Sequence, residues 1–592
     1  MTTRQAAKML ILFVTSAALA VEDRITAQVP AAQDACARQT LGPAVVDVPS
    51  IAVQPRFRLN GKAFPGPEAG AAVFTLWASE ANEHFDGPQL VLGETQLPPH
   101  SVRVVPGVYD VYYSWIFGSD VPRNHLTRVL QGVSLDRDQV LTIDVPMIRV
   151  GGVKQHNGNP FGYDGAAALS LHGVDWPGEV PLGAAQPAAF QVAMIPGRYA
   201  FEYDWQWGAD FPNNRHAFVS QLDLLKSAER VALNVPSLIQ SFQFLHNGAP
   251  FPSSLVERGD LVLHRSDRER LRIGSSHESN AAMRLIPGVY DVHWQHVAGA
   301  NVPGNSDARV AKLVTNGALR VIDVPSLEVS GDLLVNGQPP PASEVENARL
   351  SLVRKTGDRV VLGQTRYGAY EKRVVPGVYD IVYEHVTGAS TMPANPRATL
   401  ARGWRVQDDP IRTIDIPVGT YQGSLLLNGE DFPGSAILTG RIYAMPLAAD
   451  QEPVDLGLTY YGAFERRLLP GLYRAAYAHV VGVGVPENIF TTFGPTRRVR
   501  EGEETTGALD VVAAPIEVSY RHNGAFLTLG GPQNARVHLL RGRNHLQLDD
   551  SVQGVRELMA MEGRFDLFYQ YRGGPGLPGN AFMRFGCWNL AR

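Results

Sequence analysis

Cysteine is nearly absent from this chain: Cys36 and Cys587 are the only two among 592 residues. No cysteine–histidine cluster with zinc-finger spacing can therefore exist. Blocks of like charge are missing too. The formal net charge is −5, spread over the whole length, which argues against a nucleic-acid surface or a polybasic membrane patch. Past the first twenty residues no apolar run approaches the roughly twenty residues that a membrane helix needs. No segment carries a convincing 3.6-residue helical period. Nucleophile elbow, Gly-rich phosphate loop, HExxH and calcium-loop signatures are all lacking. The expectation is a protein that is not an enzyme, with no catalytic residue, no cofactor and no metal.

What is present begins with a leader. Arg4 and Lys8 precede an apolar stretch from Met9 to Leu19, and Ala18-Leu19-Ala20 offers small residues for cleavage. This is the pattern of a secretory signal peptide over residues 1–20. It implies a secreted protein (periplasm, cell surface or extracellular) without a transmembrane segment after cleavage. Cys36 lies well beyond the apolar stretch and no lipobox precedes it, so a lipoprotein is not expected. Fifty-eight glycines and forty-two prolines suit short strands and many turns.

The dominant signal is an internal repeat. Asn-Gly recurs at Asn60, Asn157, Asn247, Asn336, Asn428 and Asn523. Pro-Gly-x-Tyr recurs at Pro106, Pro196, Pro287, Pro376 and Pro470, with a degenerate sixth copy, Glu562-Gly563-Arg564-Phe565. Pro-x-Asn recurs at Pro122, Pro212, Pro303, Pro393, Pro486 and Pro578, 16 residues later in five copies and 17 in the fourth. Units close on Asp/Asn-Val/Ile-Pro at Asp144, Asn234, Asp323 and Asp415, which the fifth copy degrades to Val511–Pro515.

Asn-Gly between apolar runs is the favoured type I′ hairpin turn, because both residues tolerate positive φ. Pro-Gly ahead of tyrosine is a turn feeding a strand. That strand alternates: Tyr109, Val111, Tyr113 and Trp115 share one face, and Asp110, Tyr112 and Ser114 the other. Five tyrosines, Tyr109, Tyr199, Tyr290, Tyr379 and Tyr473, are expected as buried anchors. The fold class read from this is all-β: six tandem β-sandwiches of about ninety residues, Ig-like or transthyretin-like. The expected division is 1–20 signal peptide, 21–46 N-terminal segment, then repeats at 47–145, 146–235, 236–324, 325–416, 417–514 and a truncated 515–592.

The motifs LNGKAFP (Leu59–Pro65), VLGET (Val91–Thr95) and VVPGVYDVYY (Val104–Tyr113) resemble the carboxypeptidase-regulatory-like, transthyretin-like sandwiches repeated in many secreted bacterial proteins. The resemblance spans nearly everything after residue 47 and implies an accessory or surface role rather than an activity. The long Gly-x-x-x-Pro-x-Asn extension departs from the usual pattern.

Candidate site residues are few. His296, His385 and His479 share a column with Trp115, Trp205 and Tyr571, so the position calls for a flat amphipathic ring, not a metal ligand. His156, His246 and His522 precede Asn-Gly turns where other copies have Leu59, Val335 and Leu427. Trp115, Phe117, Trp205 and Trp207 lie just before the Gly-x-x-x-Pro loop, where aromatics can stack on sugar faces. The function expected is a structural or adhesive surface role. The alternative is a binding array for a polysaccharide or a protein partner.

The termini carry one further expectation. Repeat six ends without a closing strand, and Ala44-Val45-Val46-Asp47-Val48-Pro49 resembles one. On the repeat template Cys36 and Cys587 fall two positions apart, which makes them candidates for a disulfide in an oxidising compartment. Three arrangements stay open: a ring within one chain, head-to-tail self-association into filaments, or an open rod with unrelated cysteines.

Overall fold

The computed structural model describes residues 37–40, 44–66, 68–79, 90–98, 100–266, 269–388, 390–526, 534–548, 555–574 and 576–591. The signal segment and Cys36 lie outside the described residues. Among the described residues the elements are strands, with three single-turn 3-10 segments at Ser276–Glu278, Thr365–Tyr367 and Thr459–Tyr461.

Repeat two displays the plan. Its opening strand Ile148–His156 pairs antiparallel with Ala189–Met194 on one edge and parallel with the closing strand Ala228–Val235 on the other. A second sheet runs Glu179–Ala184, Ala166–Gly173, Gly197–Trp207, Ala217–Leu224, all antiparallel. Period-2 alternation turns one face of each sheet inward, and the two faces bury a single apolar core. In repeat two that core includes Leu169, Leu171, Tyr199, Phe201, Tyr203 and Leu233. Separate cores of the same kind serve the other repeats. The five anchor tyrosines are buried, none above 1% exposed. Tyr112 faces away from the core but is covered by Trp77, 5.1 Å away.

The Asn-Gly turns take the expected conformation: all six asparagines and their glycines have positive φ, as in Asn60 (50°) and Gly61 (76°). The turns also staple each sandwich shut. The glycine N–H donates to the aspartate or asparagine of the closing strand at 2.8–3.1 Å, in the pairs Gly61–Asp144, Gly158–Asn234, Gly248–Asp323, Gly337–Asp415, Gly429–Asp510 and Gly524–Asp47. The asparagine Oδ1 accepts from the N–H three residues after that acid, at 2.7–3.0 Å. In the fifth repeat the acid is Asp510. The closing block there is therefore Asp510-Val511-Val512, one residue ahead of the degenerate Val511–Pro515 reading, with Val512 standing where the others have proline.

The sixth pair is the informative one. Asp47 belongs to the strand Ala44–Val48, which lies parallel to Ala513–His522, the opening strand of repeat six. Val46 and Val48 enter the sixth core beside Val518, Tyr520 and Trp588. Two expected boundaries therefore fall inside strands: residue 47 within Ala44–Val48 and residue 515 within Ala513–His522. The sheets of repeats five and six also join directly, through Asn488–Val499 and Asn544–Leu548.

Candidate functional site

The chemistry-bearing residues that recur are spent on the junctions between repeats. The Pro-x-Asn block of one repeat docks on the Pro-Gly-x-Tyr turn of the next. Its middle residue donates an N–H to the carbonyl three residues before the turn proline (Glu562 in the sixth copy), at 2.8–2.9 Å: Arg123 to Ala193, Asn213 to Arg284, Gly304 to Arg373, Ala394 to Arg467, Glu487 to Met559, and Gly579 to Arg103. The asparagine follows. Asn124, Asn214, Asn305, Asn395, Asn488 and Asn580 are all fully buried. Each Oδ1 accepts from the N–H preceding the turn, on Ile195, Ile286, Val375, Leu469, Met561 and Val105, at 2.7–2.9 Å. Each Nδ2 donates to the anchor tyrosine of the neighbour at 2.8–3.0 Å wherever that tyrosine exists. In the degenerate sixth copy the anchor is Phe565, and Asn488 Nδ2 turns instead to Thr491 Oγ1, 2.9 Å away.

Each anchor tyrosine donates its own hydroxyl to the carbonyl four residues back, as Tyr290 does to Ile286 at 2.7 Å. Burial pushes the phenols of Tyr199, Tyr290, Tyr379 and Tyr473 up to about 12, against the opposing pull of the asparagine bond. They remain protonated donors at any physiological pH. The second aromatic of the strand reports on the docking loop: Tyr113, Tyr203, Trp294, Tyr383, Tyr477 and Tyr569 donate to the carbonyl of the Pro-x-Asn proline at 2.6–2.9 Å. The loop glycine admits no side chain. At Gly118 (φ +99°) a Cβ would lie 2.2 Å from the Cα of Gly70.

The other sequence candidates are placed as follows. Trp115 and Trp205 are half-buried, donate to the carbonyls of Gly118 and Gly208, and lie beneath the guanidiniums of Arg123 and Arg215. Tyr571 bonds Gly574 in the same way, and His479 Nδ1 faces the Pro486 carbonyl at 3.0 Å. Burial lowers the basicity of His296 and His385. His156, His246 and His522 bond the hydroxyls of Ser237, Ser326 and Ser50 at 2.6–2.7 Å. Phe117 and Trp207 point outward, 38% and 57% exposed. Cys587 lies on the strand Met583–Ala591, opposite Asp566.

One cluster escapes the sequence reading. His264, His293 and Asp307 bring two imidazoles and a carboxylate together on the outer face of repeat three, with the candidate ligand atoms within 4.8 Å of one another. His293 lies on the tyrosine strand, but on the face opposite His296. The alternation there, with Asp291, His293 and Gln295 on one face, was the signal that could have found it. A second feature is a cleft of about 550 Å³ between repeats three and four, lined by His296, Arg359, Lys372 and Arg373 among others.

No protein-family model matches the chain, and no curated protein matches it. Solved structures that resemble it include the Bacillus anthracis TIE protein (10% identity, 62% of this chain and 74% of that one, TM-score 0.14). A streptococcal ancillary pilin (9%, 46% and 98%, TM-score 0.13) and two B repeat units of the collagen-binding protein of Staphylococcus aureus (8%, 61% and 99%, TM-score 0.14) are similar to the same degree. Likeness at this level leaves the function of the chain to be argued from its own residues.

Proposed function

We propose that the protein is a secreted, non-catalytic scaffold with a structural or adhesive surface role, whose six sandwiches, of the carboxypeptidase-regulatory-like type, close into a ring. The observation that carries this reading is the repetition of one junction. Asn580 bonds Val105 and Tyr109 of repeat one as Asn124 bonds Ile195 and Tyr199 of repeat two. The strand Ala44–Val48 supplies repeat six with the parallel partner that every other repeat takes from its own C-terminal end. Quasi-linear arrays leave two capped ends, whereas here first and last repeat present complementary halves of one junction. The chain holds two cysteines, Cys36 and Cys587. Their pairing would lock the closure. The same surfaces used between chains would make a heterologous, filament-building contact.

A scaffold of this kind presents the same loops at six stations, which suits multivalent contact with a protein or polysaccharide partner. One observation favours a polysaccharide: Trp207, more than half exposed, lies just before the docking loop of repeat two. A glycan array probed with wild type and Trp207→Ala separates the readings. Binding that disappears with the indole makes the protein a sugar-binding array. Absence of glycan binding together with capture of a defined protein partner in pull-downs supports the adhesive role. Hydrolysis of any arrayed glycan would refute a non-catalytic scaffold.

A further inference from the structure

We infer that the outer face of repeat three holds a binding site for a divalent transition ion of the zinc class, with His264, His293 and Asp307 as its ligands. The three side chains come from three separate strand positions. His264 ends the strand Arg258–His264, His293 lies mid-way along Val289–Ala298, and Asp307 immediately precedes Ala308–Val314. Two imidazoles and one carboxylate suit zinc, copper or nickel, not the all-oxygen shells that calcium and magnesium prefer.

The distances fit. Ligand atoms about 2.0 Å from a tetrahedral zinc stand on the order of 3.3 Å from each other. His293 Nδ1 lies 3.1 Å from Asp307 Oδ1, and His264 Nε2 lies 3.9 Å from the same oxygen. The two rings are stacked, centroids 3.9 Å apart and 12° from parallel. Asp307, 29% exposed at its side chain, leaves a solvent-facing side where water would complete the shell.

The carboxylate is held in place. Gln295 Nε2 donates to Asp307 Oδ1 at 3.2 Å, and the Asp307 N–H donates to Asp358 of repeat four at 3.0 Å. His264 Nε2, by contrast, is buried and has no hydrogen-bond partner, and an orphaned buried nitrogen calls for an explanation. Charges around the site include Asp291, Arg309 and Arg270.

Repeat two provides an internal comparison. The three equivalent positions carry His172, Glu202 and His216, again two imidazoles and a carboxylate. There the set is closed on itself: His172 and His216 each contact a different oxygen of Glu202 at 3.1 Å, and Ser170 Oγ adds a bond to His172 at 3.0 Å. Repeat two satisfies its nitrogens with protein groups; repeat three leaves one nitrogen aimed at the shared carboxylate and unfilled.

The test is calorimetric titration of the chelator-stripped, untagged protein with zinc chloride, and separately with calcium chloride. The expected result is zinc binding from which His264→Ala and His293→Ala each remove one equivalent, while His172→Ala removes none and calcium gives no heat. Asp307→Asn, which keeps volume and hydrogen bonding, should weaken that equivalent at least tenfold, and circular dichroism checks that each variant folds. Zinc binding unchanged in all three repeat-three variants, or no binding by wild type at tens of micromolar zinc, overturns the assignment.

Discussion

At the junctions all six buried asparagines accept a backbone N–H on the amide oxygen, and five of them donate from the amide nitrogen to a phenol. Removing such a group leaves the turn N–H buried and unpaired and takes one of its two bonds from the tyrosine oxygen, which costs on the order of 1–3 kcal/mol. Asn305→Ala is therefore expected to destabilise by that amount, read by denaturant unfolding, with Asn488→Ala toward the low end because Phe565 offers no hydroxyl. Tyr290→Ala should cost about 3–5 kcal/mol as a large buried aromatic, with the damage confined to repeat three and its neighbours; unchanged unfolding would refute its role as anchor. The junction between repeats two and three adds a titration. Glu269 is buried beside Asn214, and burial raises its carboxyl above the ordinary value, with the Asn214 bond and Arg265 pulling the other way. A carboxyl raised in the folded state stabilises most when protonated, so its contribution is complete below the ordinary glutamate value and is lost as pH rises through the raised one. Glu269→Gln should flatten that dependence and leave the junction more stable than wild type at pH 7. A variant less stable than wild type at pH 7 would contradict this.

At the scale of elements, hairpins and tyrosine strands were legible because their signals are local. Positive φ at Asn60-Gly61 follows from two residues, and the alternation from Tyr109 to Trp115 follows from seven. Pairing across repeats was not legible in the same way. That Asn124 reaches Tyr199, 75 residues on, appears in the sequence only as a block without a stated purpose. The His264–His293–Asp307 set was hidden because its members are apart in sequence, with only the alternation of the tyrosine strand marking His293. The closing strand of repeat six was legible in Ala44–Val48, since the Asp-Val-Pro pattern is a template match. It predicts that Val46→Asp, which places a charge in the sixth core, speeds amide exchange across Ala513–His522 while exchange in Leu238–His246 of repeat three stays as in wild type. Equal protection of both strands would remove Ala44–Val48 from the sixth sandwich in solution.

At the scale of the whole molecule, the proposed ring needs six like junctions among six repeats, where a rod needs five. Light scattering combined with peptide mapping under non-reducing conditions tests this most directly on the mature secreted protein. The account predicts a monomer that yields a Cys36–Cys587 linked peptide. The same peptide from a polymer would replace the ring by a head-to-tail filament, and two free thiols in the secreted protein would end the Cys36–Cys587 clasp in both forms.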